Sequence, residues 1–187
     1  MPLNKEYLQE LSASLLRNLR RSDYYLQMPK TERAKLEARL QVDSEEGFLP
    51  LLPGAHPDDL ENLLDAIEEE LGIELPSSAI EILRQVDGFC FNGMILYGID
   101  PELRNDAFDS GPGILAETSY LWSAYAPDAE AYLFLGDSDL WYYAVQLKTG
   151  QAVALNRSDL AVAERFQNSE EMVNEMLRSA TGAFDGV

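Results

Sequence analysis

The chain has 187 residues, 33 of them acidic and 14 basic, for a formal net charge of −19. That balance argues against direct binding to nucleic acid, because phosphate contacts require clustered Lys and Arg. A single cysteine, Cys90, rules out an intramolecular disulfide, and a single histidine, His56, leaves too few Cys and His ligands for a zinc site.

At this length one ordinary domain is expected, burying roughly 70% of its unfolded surface. The first residues, MPLNKEYLQE, lack a basic start followed by an apolar run, and no stretch approaches about 18 consecutive apolar residues. A cytoplasmic location is therefore expected, without export or membrane spanning. The charge is uneven: residues 1–40 carry eight basic and five acidic side chains, net +3, whereas residues 41–187 carry six and 28, net −22. Such acidity serves solubility, or it steers a basic partner toward the surface.

Residues 4–21 form an amphipathic pattern, with Leu8, Leu11, Leu15, Leu16 and Leu19 at three- and four-residue spacing. That stripe must be covered by something. Pro29 and Thr31 introduce a second helix to about Leu40, with Thr31 as cap and Leu36 and Leu40 as its apolar face. From Val42 to Ala55 the text is apolar but broken by Pro50, Pro53 and Gly54, which predicts a connector lying on the core.

The third helix is the clearest. Pro57 suits the first turn, Asp58 and Asp59 favour the positive end of the dipole, and Leu60, Leu63, Leu64, Ile67 and Leu71 make one stripe ended by Gly72. Its opposite face carries Glu61, Asp65, Glu68 and Glu69, an acidic ridge that is either simply solvated or a binding surface. Leu75-Pro76 then breaks the chain, and a short helix runs from Ser77 to Val86, capped by Ser77 or Ser78 and stopped by Gly88. Asn92-Gly93 marks a turn before a strand from Met94 to Ile99.

A polar insertion, Pro101 to Gly113, contains Asp106 and Asp109 and leads to a helix from Ile114 to Tyr125. Strands follow at Tyr132–Leu135, closed by Gly136, and at Leu140–Leu147, where alternation puts Trp141, Tyr143, Val145 and Leu147 on one face. Tyr142 and Tyr125 are thereby left as candidates for exposure, and the tryptophans are assigned to the core. Lys148-Thr149-Gly150 turns the chain into Gln151–Leu155, and a last strand is expected near Ala161–Phe166. The closing helix begins at Asn168 or Ser169, with Met172, Val173, Met176 and Leu177 inward and Glu171 completing a capping box. The fold class is α+β: one mostly antiparallel or mixed sheet flanked by helices. An extra N-terminal helical segment, residues 1–54, packs on a domain of residues 55–187.

Chemical motifs are sparse. His56 sits at an apolar-to-acidic junction and is a poor candidate for a catalytic triad. Asp137-Ser138-Asp139 begins like a calcium loop but lacks its later glycine and glutamate, so it reads as a strand connection whose aspartates bond nearby amides. Gly111-Pro112-Gly113-Ile114-Leu115-Ala116 matches a shortened dinucleotide fingerprint, but no strand leads into it, Pro112 removes an amide donor, and Asp106 and Asp109 would repel a pyrophosphate. It is better read as a glycine-rich entry to a helix. No catalytic residue, metal or cofactor is assigned.

The run LGIELPSSAIEILRQVDGFCFNGMILYGID, then YLFLGDSDLWYYAVQLKTGQAVALNR and then AERFQNSEEMVNEML, resembles the SUKH superfamily, especially its YrhA-like branch. The matching positions, Leu75, Pro76, Gly88, Gly93 and Gly150 among them, have structural explanations, and residues 1–50 match no part of the pattern. The resemblance implies an α+β fold and a role as an immunity protein that neutralises a bacterial toxin, often a nuclease; other members are regulatory scaffolds. The expected partner is a basic toxin domain, met as a monomer or weak homodimer, with Glu61, Asp65, Glu68, Glu69, Asp106, Asp109, Asp137, Asp139 and Tyr142 as candidate contacts. The alternatives are a scaffold docking a cellular partner through the N-terminal helices and, remotely, a divalent-ion-dependent enzyme.

Overall fold

A computed structural model of the protein describes residues 2–45, 47, 49–105 and 111–182. Its N-terminal part is helical. α1 (Lys5–Arg21) is capped by Asn4, whose side-chain oxygen accepts from the Glu6 and Tyr7 amides. A five-residue helix, α2 (Asp23–Gln27), follows with Ser22 as its cap, and α3 runs Lys30–Glu45. The sequence pattern misses α2 and shortens α3. The reason is physical: α2 buries no residue and α3 buries only Leu40, so neither leaves a full apolar stripe in the text.

α4 (Pro57–Leu71) has Pro57 in its first turn and ends at Gly72, where φ of 67° supplies the left-handed cap. α5 (Ser77–Gln85) follows the Leu75-Pro76 break. Neither Ser77 nor Ser78 caps it; the flanking position is Pro76, and Ser78 Oγ instead lies 3.0 Å from Ser169 Oγ. Gly88 does not terminate the helix either, since α5 already ends at an extended Val86. Glycine is required there for two separate reasons: φ is +74°, and a β-carbon would stand 2.8 Å from the Gly98 amide nitrogen.

Six strands form one antiparallel sheet in strict sequence order: β1 (Phe89–Phe91), β2 (Met94–Leu96), β3 (Tyr132–Ser138), β4 (Trp141–Gln146), β5 (Ala152–Asn156) and β6 (Val162–Arg165). β1 is absent from the sequence reading, being only three residues long. It pairs with β2 through the Asn92-Gly93 turn, both residues at positive φ, which is the two-residue hairpin geometry. β3 runs three residues beyond the expected end. Gly136 lies inside it because a β-carbon would come within 2.3 Å of the Ile95 carbonyl oxygen and 2.6 Å of Met176 Cε. It is a site of close approach rather than a terminator, next to an irregularity in register between Phe134 and Gly136.

α6 (Ile114–Tyr125) and α7 (Ser169–Thr181) cover opposite faces of the sheet. On the α6 side Trp122 Nε1 donates to the Tyr132 carbonyl at 2.8 Å and Phe134 meets Tyr142 edge-on at 5.6 Å. On the α7 side Met176 fills the space over Gly136, whose cross-strand neighbour is Tyr143. With both faces covered, β3, β4 and β5 read as continuous buried runs. This corrects the alternation argument: Tyr142 is 6% exposed and belongs to the core, while Trp141 is only partly buried at the end of its strand. α7 starts at its expected cap, with Asn168 Oδ1 accepting from the Glu171 amide at 2.8 Å, but the Glu171 carboxylate accepts from the Gln167 amide, one residue before the cap, so the expected capping box with Asn168 is not closed.

The N-terminal leucines join the same core. α1 lies against α7, with Leu8 and Leu11 buried, the Asn4 amide donating to Asn174 Oδ1 at 2.7 Å and the Leu3 amide donating to Gln85 Oε1 at 2.9 Å. The connector before α4 is tied to the end of α5: the Ala55 amide donates to the Leu83 carbonyl and the Asp87 amide to the Pro53 carbonyl, both at 2.8 Å.

Candidate functional site

The acidic ridge of α4 lies as its 3.6-residue spacing requires. Leu60, Leu63 and Ile67 are buried, and Glu61, Asp65, Glu68, Glu69 and Glu70 are all exposed. No ion pair among the described residues engages Glu61, Asp65, Glu68 or Glu69. The last turn of α4 contains no basic residue, so Glu68, Glu69 and Glu70 face the negative end of the helix dipole uncompensated. Like charges four apart, as at Glu61 and Asp65, add a further small cost. The ridge thus presents nearly three turns of carboxylates, unpaired among the described residues, to solvent on a rigid element.

Asp137 and Tyr142 come together as cross-strand partners, but their chemistry faces inward. Tyr97 Oη donates to Asp137 Oδ2 at 2.7 Å, and burial pushes the Tyr97 phenol far above its usual range. The guanidinium of Arg157 stands over the Tyr142 ring, 4.8 Å from its centroid, and 3.8 Å from Asp137 Oδ1, while its Nη1 donates to the Ser138 carbonyl at 2.8 Å. Partial burial raises the Glu117 carboxyl, with the nearby charges of Asp137 and Asp100 adding to the shift and Arg157 opposing it. At the strand connection it is Ser138, not an aspartate, that holds the turn, through Oγ accepting from the Trp141 amide at 3.2 Å. Asp139 is exposed at the tip. Asp106 and Asp109 lie outside the described residues.

His56 is the cap of α4: its Nδ1 accepts from the Asp58 amide at 3.3 Å. It lines the edge of a cavity of about 530 Å³ between α3 and the connector, with Leu36, Leu40, Leu49 and Leu51 among its apolar walls. The floor is charged. Arg104 Nη1 pairs with Asp87 Oδ2 at 2.7 Å, and both side chains are under 5% exposed. Asp87 Oδ1 also accepts from the Ile99 amide, and Arg104 Nε donates to the Ile99 carbonyl. Burial pushes the Asp87 carboxyl up; the Ile99 amide and Arg104 pull it back, and the charge of Asp59 adds to the rise. Asp59 is 3% exposed, with Oδ1 accepting from both the amide and the side chain of Asn105.

These residues escaped the sequence reading for identifiable reasons. Asp59 reads as a first-turn helix acid, and Asp87 as the residue before a stop glycine. Arg104 carries no local pattern at all. Only contacts more than ten residues apart reveal them. Among the described residues no group of three or more His, Cys, Asp or Glu side chains is placed to hold a metal ion, and no helix is long and apolar enough to cross a membrane.

No protein-family model matches the chain, and no curated protein matches it.

Proposed function

We propose that the chain is a non-catalytic protein-binding module of the cytoplasm that neutralises a basic bacterial toxin by covering its active face. The observation that carries the reading is the α4 ridge: exposed carboxylates on a rigid helix, without counter-charges among the described residues, in positions unfavourable to the helix itself. A basic partner removes that penalty. If the toxin is a nuclease, its phosphate groove is basic, and acidic side chains on a fixed scaffold occupy the groove and accelerate encounter at low salt. The SUKH-like text supports the same role. The leucine stripe of α1 offers no open docking face at Leu8 and Leu11, which the chain's own core covers.

Co-expression with the toxin encoded beside the gene tests this directly. The expected result is protection and a stable complex, both lost on reversing Glu61, Asp65, Glu68 and Glu69 to Lys. Unimpaired killing with no detectable complex for the unaltered chain overturns the reading.

A further inference from the structure

The cavity beside α3 is not used by the α4 ridge, and its lining is chemically two-sided. Leu36, Leu40, Leu49 and Leu51 give it an apolar wall, while Asp43 and Asp59 bring carboxylates to it. Its volume lies within the usual range of ligand clefts, about 300–1,000 Å³. The balance of charge around it can be followed group by group. Arg104 is neutralised by Asp87 at 2.7 Å. Arg39, at the rim on α3, has Asp43 one turn further along the same helix. Asp59 has no such counterpart among the described residues. Its Oδ1 is taken by two donors from Asn105, both uncharged, whereas no hydrogen bond among the described residues reaches Oδ2. Asp59 lines the cavity on a side chain only 3% exposed, and its second oxygen is therefore left open to a donor that enters from the cavity.

We propose that this cavity seats the guanidinium side chain of an arginine from the protein partner: the leucine wall takes the methylene stem, and Asp59 Oδ2 receives the planar head. Arg is suited to the task because its stem packs against apolar surface while its head forms charge-assisted hydrogen bonds to carboxylate. An arginine anchored in a desolvated pocket is also the kind of residue on which binding energy concentrates. The identity of the arginine's owner rests on the toxin-binding reading above; the chemistry of the cavity does not.

The test uses the full chain and a small probe, n-butylguanidinium, against its uncharged analogue n-butylurea, followed by amide NMR shifts. The expected result is saturable shifts at Leu40, Leu51 and Asp59 for the cation and at least tenfold weaker binding of the urea. Asp43→Asn, which removes a rim charge that makes no hydrogen bond among the described residues, should weaken the cation by about twofold to fivefold. Leu36→Trp, which fills the cavity from α3, should abolish the shifts with the fold intact by circular dichroism. Equal binding of the two probes, absence of saturable shifts, or unchanged affinity in Leu36→Trp overturns the proposal. Since no partner enters the experiment, its failure leaves the α4 ridge reading standing, and failure of the co-expression trial leaves this one standing.

Discussion

The carboxylate of Asp100 lies directly over Gly113: a β-carbon on that glycine would come within 2.1 Å of the Asp100 carboxyl carbon. The close approach lets Asp100 cap α6 from outside the helix, with Oδ2 accepting from the Leu115 amide at 2.9 Å and Oδ1 from the Ala116 amide at 2.8 Å. A parallel bridge between Gly98 and Gly113 fixes the geometry. The glycine-rich run at residues 111–113 therefore admits an anion after all, but the anion is the protein's own aspartate, occupying the place a pyrophosphate would take in a dinucleotide site. Gly113→Ala is expected to cost about 1–3 kcal/mol through the forced displacement. Asp100→Ala should lose about 0.5–2 kcal/mol of capping. Asp100→Asn should also destabilise, because the amide sets donors against one of the two helix N–H groups. Chemical denaturation of the three variants checks the order.

The ridge predicts a trade between stability and binding. Replacing Glu68 and Glu69 with Lys places cations at the C-terminal end of α4, where each should contribute about 0.3–1 kcal/mol at low ionic strength. The midpoint of urea unfolding should rise, and the gain should shrink in high salt. The same variant should associate more slowly with a basic partner. A double variant less stable than the parent would mean that these glutamates have a structural role in the fold.

The Asp87–Arg104 pair ties the end of α5 to the segment after the short 3-10 turn at Pro101–Leu103. Removing one member leaves a buried charge without its partner, so Arg104→Met should cost about 3–5 kcal/mol. Adding Asp87→Leu removes the orphaned charge, and the double variant should be less destabilised than the sum of the two singles by about 0.5–3 kcal/mol. Full recovery is not expected, since the Ile99 amide and carbonyl lose their partners as well. Additive losses in the cycle would exclude the coupling.

The α1–α3 contact should be acid-sensitive. Glu37 Oε2 accepts from Arg20 Nη2 at 2.7 Å, and its Oε1 accepts from Arg20 Nε at 3.0 Å and Tyr25 Oη at 2.6 Å. Arg20 first, and Tyr25 after it, hold the Glu37 carboxyl down at about 2 from an ordinary 4.5. A carboxylate with a depressed folded pKa contributes stability that is fully present above about pH 4.5 and is lost as the pH falls toward about 2. The pair is partly exposed, so the contribution is at most about 1 kcal/mol. Chemical shifts of α1 and α3 followed from pH 6 to pH 2 should show a transition in that window, absent in Glu37→Gln.

Helices with a full apolar stripe were legible in the sequence: Leu60, Leu63 and Ile67 on α4 and Met172, Val173, Met176 and Leu177 on α7 recur at helical spacing because one face of each is buried. The exposure of Glu61, Asp65, Glu68 and Glu69 follows from that same period, so this part of the candidate surface needed no coordinates. The turn at Asn92-Gly93 and the left-handed cap at Gly72 were set locally by residues that tolerate positive φ.

Where two layers meet, local patterns stopped being informative. Tyr142 could be assigned to solvent by alternation only while one face of the sheet was taken as open; α6 closes that face, and alternation then carries no sign. Gly136 and Gly88 look like punctuation in one dimension and prove to be points where Ile95, Met176 and Gly98 come too near for a β-carbon. The Asp87–Arg104 pair, the Asp59–Asn105 clamp and the Asp100 cap each join residues 15 to 46 positions apart. The sequence by itself determined the helices that bury a full apolar stripe and which of their faces meets water, since those depend on neighbours within a turn, but not the short α2 and β1. Which carboxylates are buried, and what they hold, was decided only by tertiary structure, because desolvation and hydrogen bonding depend on whatever distant segment packs against them.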